Sequence, residues 1–82
     1  MSVAELLERA GSALFGLHWQ GDLSRTLRVD RRTVSRWAIG AQEPRPGIVI
    51  EVRELVRQRA AELAEVDRAL TEWVDGRQSG DR

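Results

Sequence analysis

Two arginines, Arg32 and Arg36, lie four residues apart near the middle of the 82-residue chain. If this segment is helical and Val34 faces inward, a rotation of 100° per residue turns both guanidinium groups almost directly away from the core. Ser35 and Ile39 then lie beside the ridge that they form. A guanidinium group is a planar fork of donors that matches a phosphate group or the O6/N7 edge of guanine. The spacing therefore predicts a surface for an anionic, acceptor-rich partner.

The residues that usually perform catalysis are sparse in this sequence. There is no cysteine, and His18 is the single histidine, which is too few for an ordinary metal site. No glycine-rich phosphate loop is present, and the acidic residues are scattered over the predicted solvent faces of helices. Ser24, Ser35 and His18 do not have the spacing of a nucleophile set. We therefore expect no enzymatic activity, no metal or cofactor and no small-molecule ligand.

The charge of the chain is unevenly distributed, although its formal net charge at pH 7 is zero. Residues 19–46 contain six arginines against three acidic residues, which gives this segment a charge of +3. The segments before and after it are mildly acidic. Because exposed charges are screened over about 8–10 Å, a phosphate group responds to the local patch more than to the total. The neutral total therefore does not exclude a nucleic-acid partner.

The apolar periodicity predicts an all-α fold, a small four-helix domain with a central helix-turn-helix and a long C-terminal helix. Ser2 and Glu5 have the spacing of a capping box at the start of the first helix. Asp30 is suited to cap the start of the third helix, and Gly40 is suited to end it. Pro46 suits the first turn of the last helix. The predicted helices span residues 3–15, about 20–27, about 31–39 and about 47–74.

Residues 20–37 have the spacing of two short helices that pack at a steep angle. Such a pair needs apolar residues where the helices face each other and the core. It also needs a small residue where the two backbones come closest, and Ser24 fits that position. A short turn is expected from Arg28 to Asp30. The apolar set consists of Leu23, Leu27, Val29, Val34 and Trp37.

This segment resembles the lambda-repressor/Cro-like (XRE-type) family of helix-turn-helix regulators. Trp19 and Gln20, followed by Leu23, resemble the usual start of the second helix in that family. Two positions depart from the family pattern, since Arg28 replaces the usual turn glycine and Ser24 replaces the commoner alanine. A non-glycine residue at positive φ costs about 1 kcal/mol, so either the turn differs or the strain is tolerated. The resemblance implies a bacterial or phage transcriptional regulator, in particular a repressor, whose third helix lies in the major groove of DNA.

The resemblance and the outward arginines together predict which side chains contact DNA. Gln20 resembles the glutamine with which the family holds the DNA backbone, and the free N–H groups at that helix start suit an anion. His18 and Trp19 are expected to anchor their loop in the core. The expected base contacts are Arg31, Arg32, Ser35 and Arg36. The expected phosphate contacts are Gln20, Arg28, Thr33 and Arg45.

The last predicted helix carries an apolar heptad pattern that Arg59 alone interrupts. A helix of this length extends beyond a core built from about 45 residues, so the far part of the pattern needs a partner. That partner is either the first helix, which would fold back against it, or a second subunit. The expected dimer interface is Leu63, Val66, Leu70 and Trp73. Residues 75–82 are expected to form a disordered tail.

The leading interpretation is a sequence-specific regulator of double-stranded DNA that represses transcription, including that of its own gene, by occupying an operator. One such unit reads too few base pairs for selectivity in a genome. A homodimer on a palindromic operator is therefore expected, with half-sites about one helical turn apart. No apolar run approaches the length of a membrane span, which favours a cytoplasmic protein, associated with the nucleoid when it is bound to DNA. The alternatives are a protein-interaction or anti-defence adaptor with the same fold, and a recombination accessory factor.

Overall fold

The computed structural model describes residues 1–78, and these residues form four α-helices and no strand. The all-α four-helix architecture with a long last helix is therefore confirmed. The last helix is longer than expected, because residues 75–78 are helical rather than part of a tail. The remainder of the predicted tail, residues 79–82, lies outside the described residues. The helices are α1 (Val3–Phe15), α2 (Trp19–Leu27), α3 (Arg31–Ala38) and α4 (Pro46–Gln78).

The start of α1 is fixed by the predicted capping box. The Ser2 backbone N–H donates to Glu5 Oε1 at 2.9 Å, and the Glu5 backbone N–H donates to Ser2 Oγ at 3.1 Å. The bond from the Ser2 backbone N–H, with the Ser2 hydroxyl group beside it, lowers the pKa of the Glu5 carboxyl group. The stability that this bond contributes is therefore present at neutral pH and is lost as the pH falls through the lowered pKa.

The core lies where α1, α2, α3 and the first turns of α4 meet. Leu23 and Val34 are completely buried at its centre, one from each helix of the helix-turn-helix. Ile48 and Leu55 of α4 pack against this core from its edge. The buried cluster consists of Leu7, Trp19, Leu23, Leu27, Val34, Trp37 and Val52. All of the apolar residues assigned to the helix-turn-helix from the sequence are therefore buried or packed against the core, which fixes the position of α3.

Gly11 allows α1 and α2 to approach each other closely. A Cβ atom built on Gly11 would overlap the ring of Trp19, the first residue of α2. Gly11 is itself buried, so no side chain separates the α1 backbone from the indole ring. The position of Trp19 at the start of α2 therefore requires glycine at this point.

We expect the substitution Gly11→Ala to lower the free energy of unfolding by about 1–3 kcal/mol, the usual cost of overpacking a filled site. Urea denaturation followed by circular dichroism measures this change. Gly47→Ala is the matched control, because a Cβ atom there would meet no atom within 4 Å. The control should be at least as stable as the wild type, since alanine favours a helix. A Gly11→Ala variant of wild-type stability would contradict the close packing of Trp19.

The second half of α4 extends beyond the rest of the domain. We call Leu63, Val66, Leu70 and Trp73 the distal stripe, and their exposed fractions lie between 53% and 60%. α1 ends at Phe15, which shares a depression with α4 residues between Leu55 and Glu62, before the distal stripe begins. Within residues 1–78 no helix covers the distal stripe, so the alternative in which α1 folds back against it is wrong. No helix of the described part is long and apolar enough to span a membrane.

Candidate nucleic-acid interface

The turn between α2 and α3 is stabilised by a left-handed residue, Arg28. Its φ and ψ are 59° and 44°, and it is the single non-glycine residue with positive φ within residues 1–78. The Arg28 and Val29 N–H groups both donate to the Ser24 carbonyl oxygen, the latter at 3.0 Å. These bonds satisfy a carbonyl group that the end of α2 would otherwise leave free. The turn therefore keeps the geometry usual for glycine, and arginine tolerates the strain.

We expect Arg28→Gly to be more stable than Arg28→Ala by about 1 kcal/mol, because only glycine adopts the left-handed conformation without steric cost. Both variants lose the same charged side chain, so the difference between their free energies of unfolding reports the cost of the left-handed backbone conformation alone. Urea denaturation of the two variants measures it. Equal stabilities would show that Arg28 is not strained.

Ser24 is the small residue that the spacing predicts where the two helices come closest. It is buried, and its hydroxyl group donates to the Gly21 carbonyl oxygen at 2.8 Å. The hydroxyl group is thus satisfied within its own helix and needs no partner across the contact. Serine can therefore replace the alanine expected here without leaving an unpaired polar atom in the core.

α3 is fixed at both ends, as the sequence predicts. The Asp30 side chain accepts from the Arg32 backbone N–H at 3.0 Å, which caps the first turn. At the other end Gly40 has a φ of 78°, and its N–H donates to the Trp37 carbonyl oxygen at 3.1 Å. The Ala41 N–H donates to the Arg36 carbonyl oxygen at 2.9 Å, which completes a Schellman motif. The backbone of the short helix is therefore capped at both ends.

The outer face of α3 carries arginines, and its inner face is apolar. Val34 is completely buried and Trp37 is only 4% exposed. Arg32 and Arg36 are exposed on the opposite side, and Arg31 is exposed at the start of the helix. Among the described residues, none of these three guanidinium groups has an acidic partner in an ion pair. The rotation argument from the sequence therefore gives the correct outward direction for Arg32 and Arg36.

Gln20 and Ser35 are joined by a hydrogen bond across the two helices of the motif. Ser35 Oγ donates to Gln20 Oε1 at 2.9 Å, and both residues are partly exposed. Because the oxygen of the Gln20 amide is engaged, its NH₂ group is directed away from Ser35 and remains a donor. The structure therefore brings one predicted base contact and one predicted phosphate contact together as a single unit.

Arg31 leans towards α2 more than the sequence suggests. The Cζ atom of Arg31 lies 4.0 Å from the position that a Cβ atom on Gly21 would occupy, with the Arg25 guanidinium group close by. Arg25 forms an ion pair with Asp22 on its own helix, whereas Arg31 has no such partner within the described residues. The Arg31 side chain therefore lies near Gly21, where the start of α2 meets the start of α3.

The remaining predicted contacts lie around the edges of the arginine face. Arg28 and Arg45 are exposed, and Thr33 is half-buried. Thr33 and Arg45 line the same depression at the connector between α3 and α4. Ile39 is 79% exposed just beyond the end of α3. Arg28 and Arg45 are therefore accessible, with Arg28 just before the start of α3 and Arg45 in a depression that Val29 and Thr33 also line.

His18 does not anchor its loop, and this expectation is wrong. It is exposed and caps α2 with its backbone alone, whereas its neighbour Trp19 is buried against Gly11. The loop is short, so only one of two consecutive side chains can turn inward, and Gly11 leaves room for the larger ring. The first N–H groups of α2 consequently have no side-chain cap within the described residues.

Comparison of the chain with protein-family models, with curated proteins and with solved structures finds no match. Within residues 1–78 there is also no group of three or more side chains that could hold a metal ion.

Proposed function

We propose that this protein is a sequence-specific regulator of transcription that binds double-stranded DNA with α3 in the major groove. One observation carries the proposal: α3 turns unpaired arginines outward from a helix that is fixed at both ends. At 1.5 Å per residue its eight residues are about 12 Å long, comparable to the width of the major groove. Arg32 and Arg36 are assigned to guanine edges, because arginine forks match them best.

The groups around α3 suit the phosphate backbone. The uncapped N–H groups at the start of α2 and the NH₂ group of Gln20 are donors at the positive end of a helix dipole. The hydrogen bond from Ser35 orients the Gln20 amide. We therefore assign Ser35 the role of positioning Gln20, in addition to its predicted base contact. Arg28, Arg31 and Arg45 supply positive charge around the same face. Phosphate contacts of this kind fix the register in which α3 meets the bases.

The protein acts by occupying its operator as a homodimer, which makes repression the simplest outcome. A second recognition helix is needed because eight residues read too few base pairs for selectivity. The distal stripe supports this step, since four large apolar side chains are exposed on one side of α4. A two-fold symmetric dimer binds a palindromic operator.

A second candidate is a protein-interaction module, and one observation favours it. Leu17 and Ile39 are apolar and strongly exposed, at 88% and 79%, outside the distal stripe. The chain also has no net charge. A module of this kind would show no DNA binding even at low salt, which separates it from the first proposal.

Selection of bound duplexes from a random DNA pool tests the proposal. We expect enrichment of a palindromic sequence with G·C pairs in each half-site. The double variant Arg32→Ala/Arg36→Ala is the control, and it should enrich no such sequence. If the wild-type protein enriches nothing above the level of the double variant, the proposed function is wrong.

A further inference from the structure

The distal stripe lies on the same side of α4 as the residues that pack into the core. Val52 is buried in the core and Leu70 follows it by 18 residues, which is five full turns of an α-helix. Leu55, packed at the core edge, is related to Trp73 by the same interval. A straight α4 therefore presents one continuous apolar side. α1 covers the first part of that side, and the second part is exposed.

This shared side limits how a second copy can pair with the stripe. Packed helices have axes 8–10 Å apart, and a helix with its side chains is itself about 10–12 Å wide. In a parallel pair, each α4 would run through the space that α1 of the other copy occupies. An antiparallel pair avoids this collision, because each α4 then meets only the exposed half of the other.

We propose that two copies of the chain pair through the distal stripe as an antiparallel helix pair, centred near residue 68. In this register Leu63 lies opposite Trp73 of the second copy, and Val66 lies opposite Leu70. The stripe is thus complementary to itself under a two-fold axis, as a symmetric dimer requires. The inference rests on the homodimer of the proposed function and adds its orientation and its contacts.

The charges at the two ends of the stripe agree with this register. Glu62 precedes the stripe, and Arg77 follows it with its guanidinium group 4.5 Å from the centre of the Trp73 ring. In the antiparallel pair Arg77 of the second copy lies opposite Arg59, whose guanidinium group pairs with Glu62 at 3.5 Å. Each end of the contact therefore brings the Arg77 of one copy to the Arg59–Glu62 ion pair of the other, with Glu62 as the carboxylate near both arginines. In a parallel pair with aligned sequences, Arg77 would meet Arg77.

The antiparallel pair separates the two DNA-reading units widely. With the axis near residue 68, the two α4 helices begin 44 residues apart along the pair, or about 66 Å at 1.5 Å per residue. Two helical turns of B-DNA measure about 68 Å. We therefore expect the half-sites of the selected operator to be centred two turns apart rather than one.

Disulfide cross-linking in the absence of DNA tests the orientation, and the chain has no cysteine of its own to interfere. The Leu63→Cys chain alone should form no disulfide-linked dimer, because the two sulfurs would lie about 15 Å apart along the pair. An equimolar mixture of Leu63→Cys and Trp73→Cys chains should form a disulfide between the two kinds of chain. If replacing Trp73 weakens pairing, a mixture of Val66→Cys and Leu70→Cys chains takes its place.

Two results would overturn the inference. Cross-linking of the Leu63→Cys chain to itself, without linkage in the mixtures, would show a parallel pair. A monomeric wild-type mass by light scattering, at the concentrations used for cross-linking, would show that no second copy covers the stripe. The cross-linking contains no DNA, so its result does not depend on the selection from the DNA pool. If the mixture cross-links but the selection enriches no sequence, the antiparallel pair is supported and the proposed function alone fails.

Discussion

Replacing Arg36 with alanine should weaken binding to the selected operator by at least tenfold while leaving the fold intact. Arg36 is exposed in the last turn of α3, and its backbone carbonyl group, not its side chain, takes part in the helix cap. A bidentate contact from arginine to guanine contributes about 1–3 kcal/mol of discrimination, and 1.4 kcal/mol corresponds to a factor of ten. Fluorescence anisotropy with the operator and with a random duplex measures both affinity and selectivity.

The control for this variant is Arg57→Ala, which removes the same charge from an exposed position on α4. It should change operator affinity much less, because Arg57 lies outside the arginine face of α3. Arg36→Ala should also reduce the ratio of operator binding to random-duplex binding. Unchanged affinity and selectivity for Arg36→Ala would remove Arg36 from the proposed set of base contacts.

Replacing Leu70 with glutamate should convert the dimer into a monomer at micromolar concentration. The variant places a charge in each half of the contact, and each buried leucine contributes about 1.5–3 kcal/mol, so dimer affinity should fall at least a hundredfold. Because Leu70 is 59% exposed within a single chain, the helix content should be preserved. Light scattering measures the mass, and circular dichroism measures the helix content.

Thr71→Glu is the matched control, since it introduces the same charge one residue away on a different face of α4. Its mass should equal that of the wild type. A wild-type mass for Leu70→Glu as well would mean that the distal stripe is not the dimer contact. Loss of the dimer should also weaken operator binding, because each half-site would then bind a separate chain.

The helix ends could be predicted from the sequence because each depends on a few neighbouring residues. The Ser2 and Glu5 pair, Asp30 and Gly40 all act within one turn of their own helix. The conformation of Arg28 could not be decided in this way. Local preference disfavours its positive φ, and the packing of α2 against α3 outweighs that preference.

Contacts between distant parts of the chain were the features that the sequence did not reveal. The outward direction of Arg32 and Arg36 follows from helix geometry alone. The Ser35 to Gln20 bond joins residues 15 positions apart and depends on how the two helices cross. Gly11 is a weak helix former in the sequence, and only the position of Trp19 shows why glycine is needed. For the Ser35 to Gln20 bond, the one available sign in the sequence was a polar residue on α3 that could face the start of α2.

The salt dependence of operator binding tests the central claim most directly. Two copies that each place Arg28, Arg31 and Arg45 near phosphate groups would neutralise about six phosphates, which predicts a slope of about −5 for log affinity against log salt. Raising the salt from 50 to 200 mM should then lower the affinity about a thousandfold, as measured by fluorescence anisotropy. A salt-independent affinity, or no binding at 50 mM salt, would contradict the assignment of α3 to the DNA major groove.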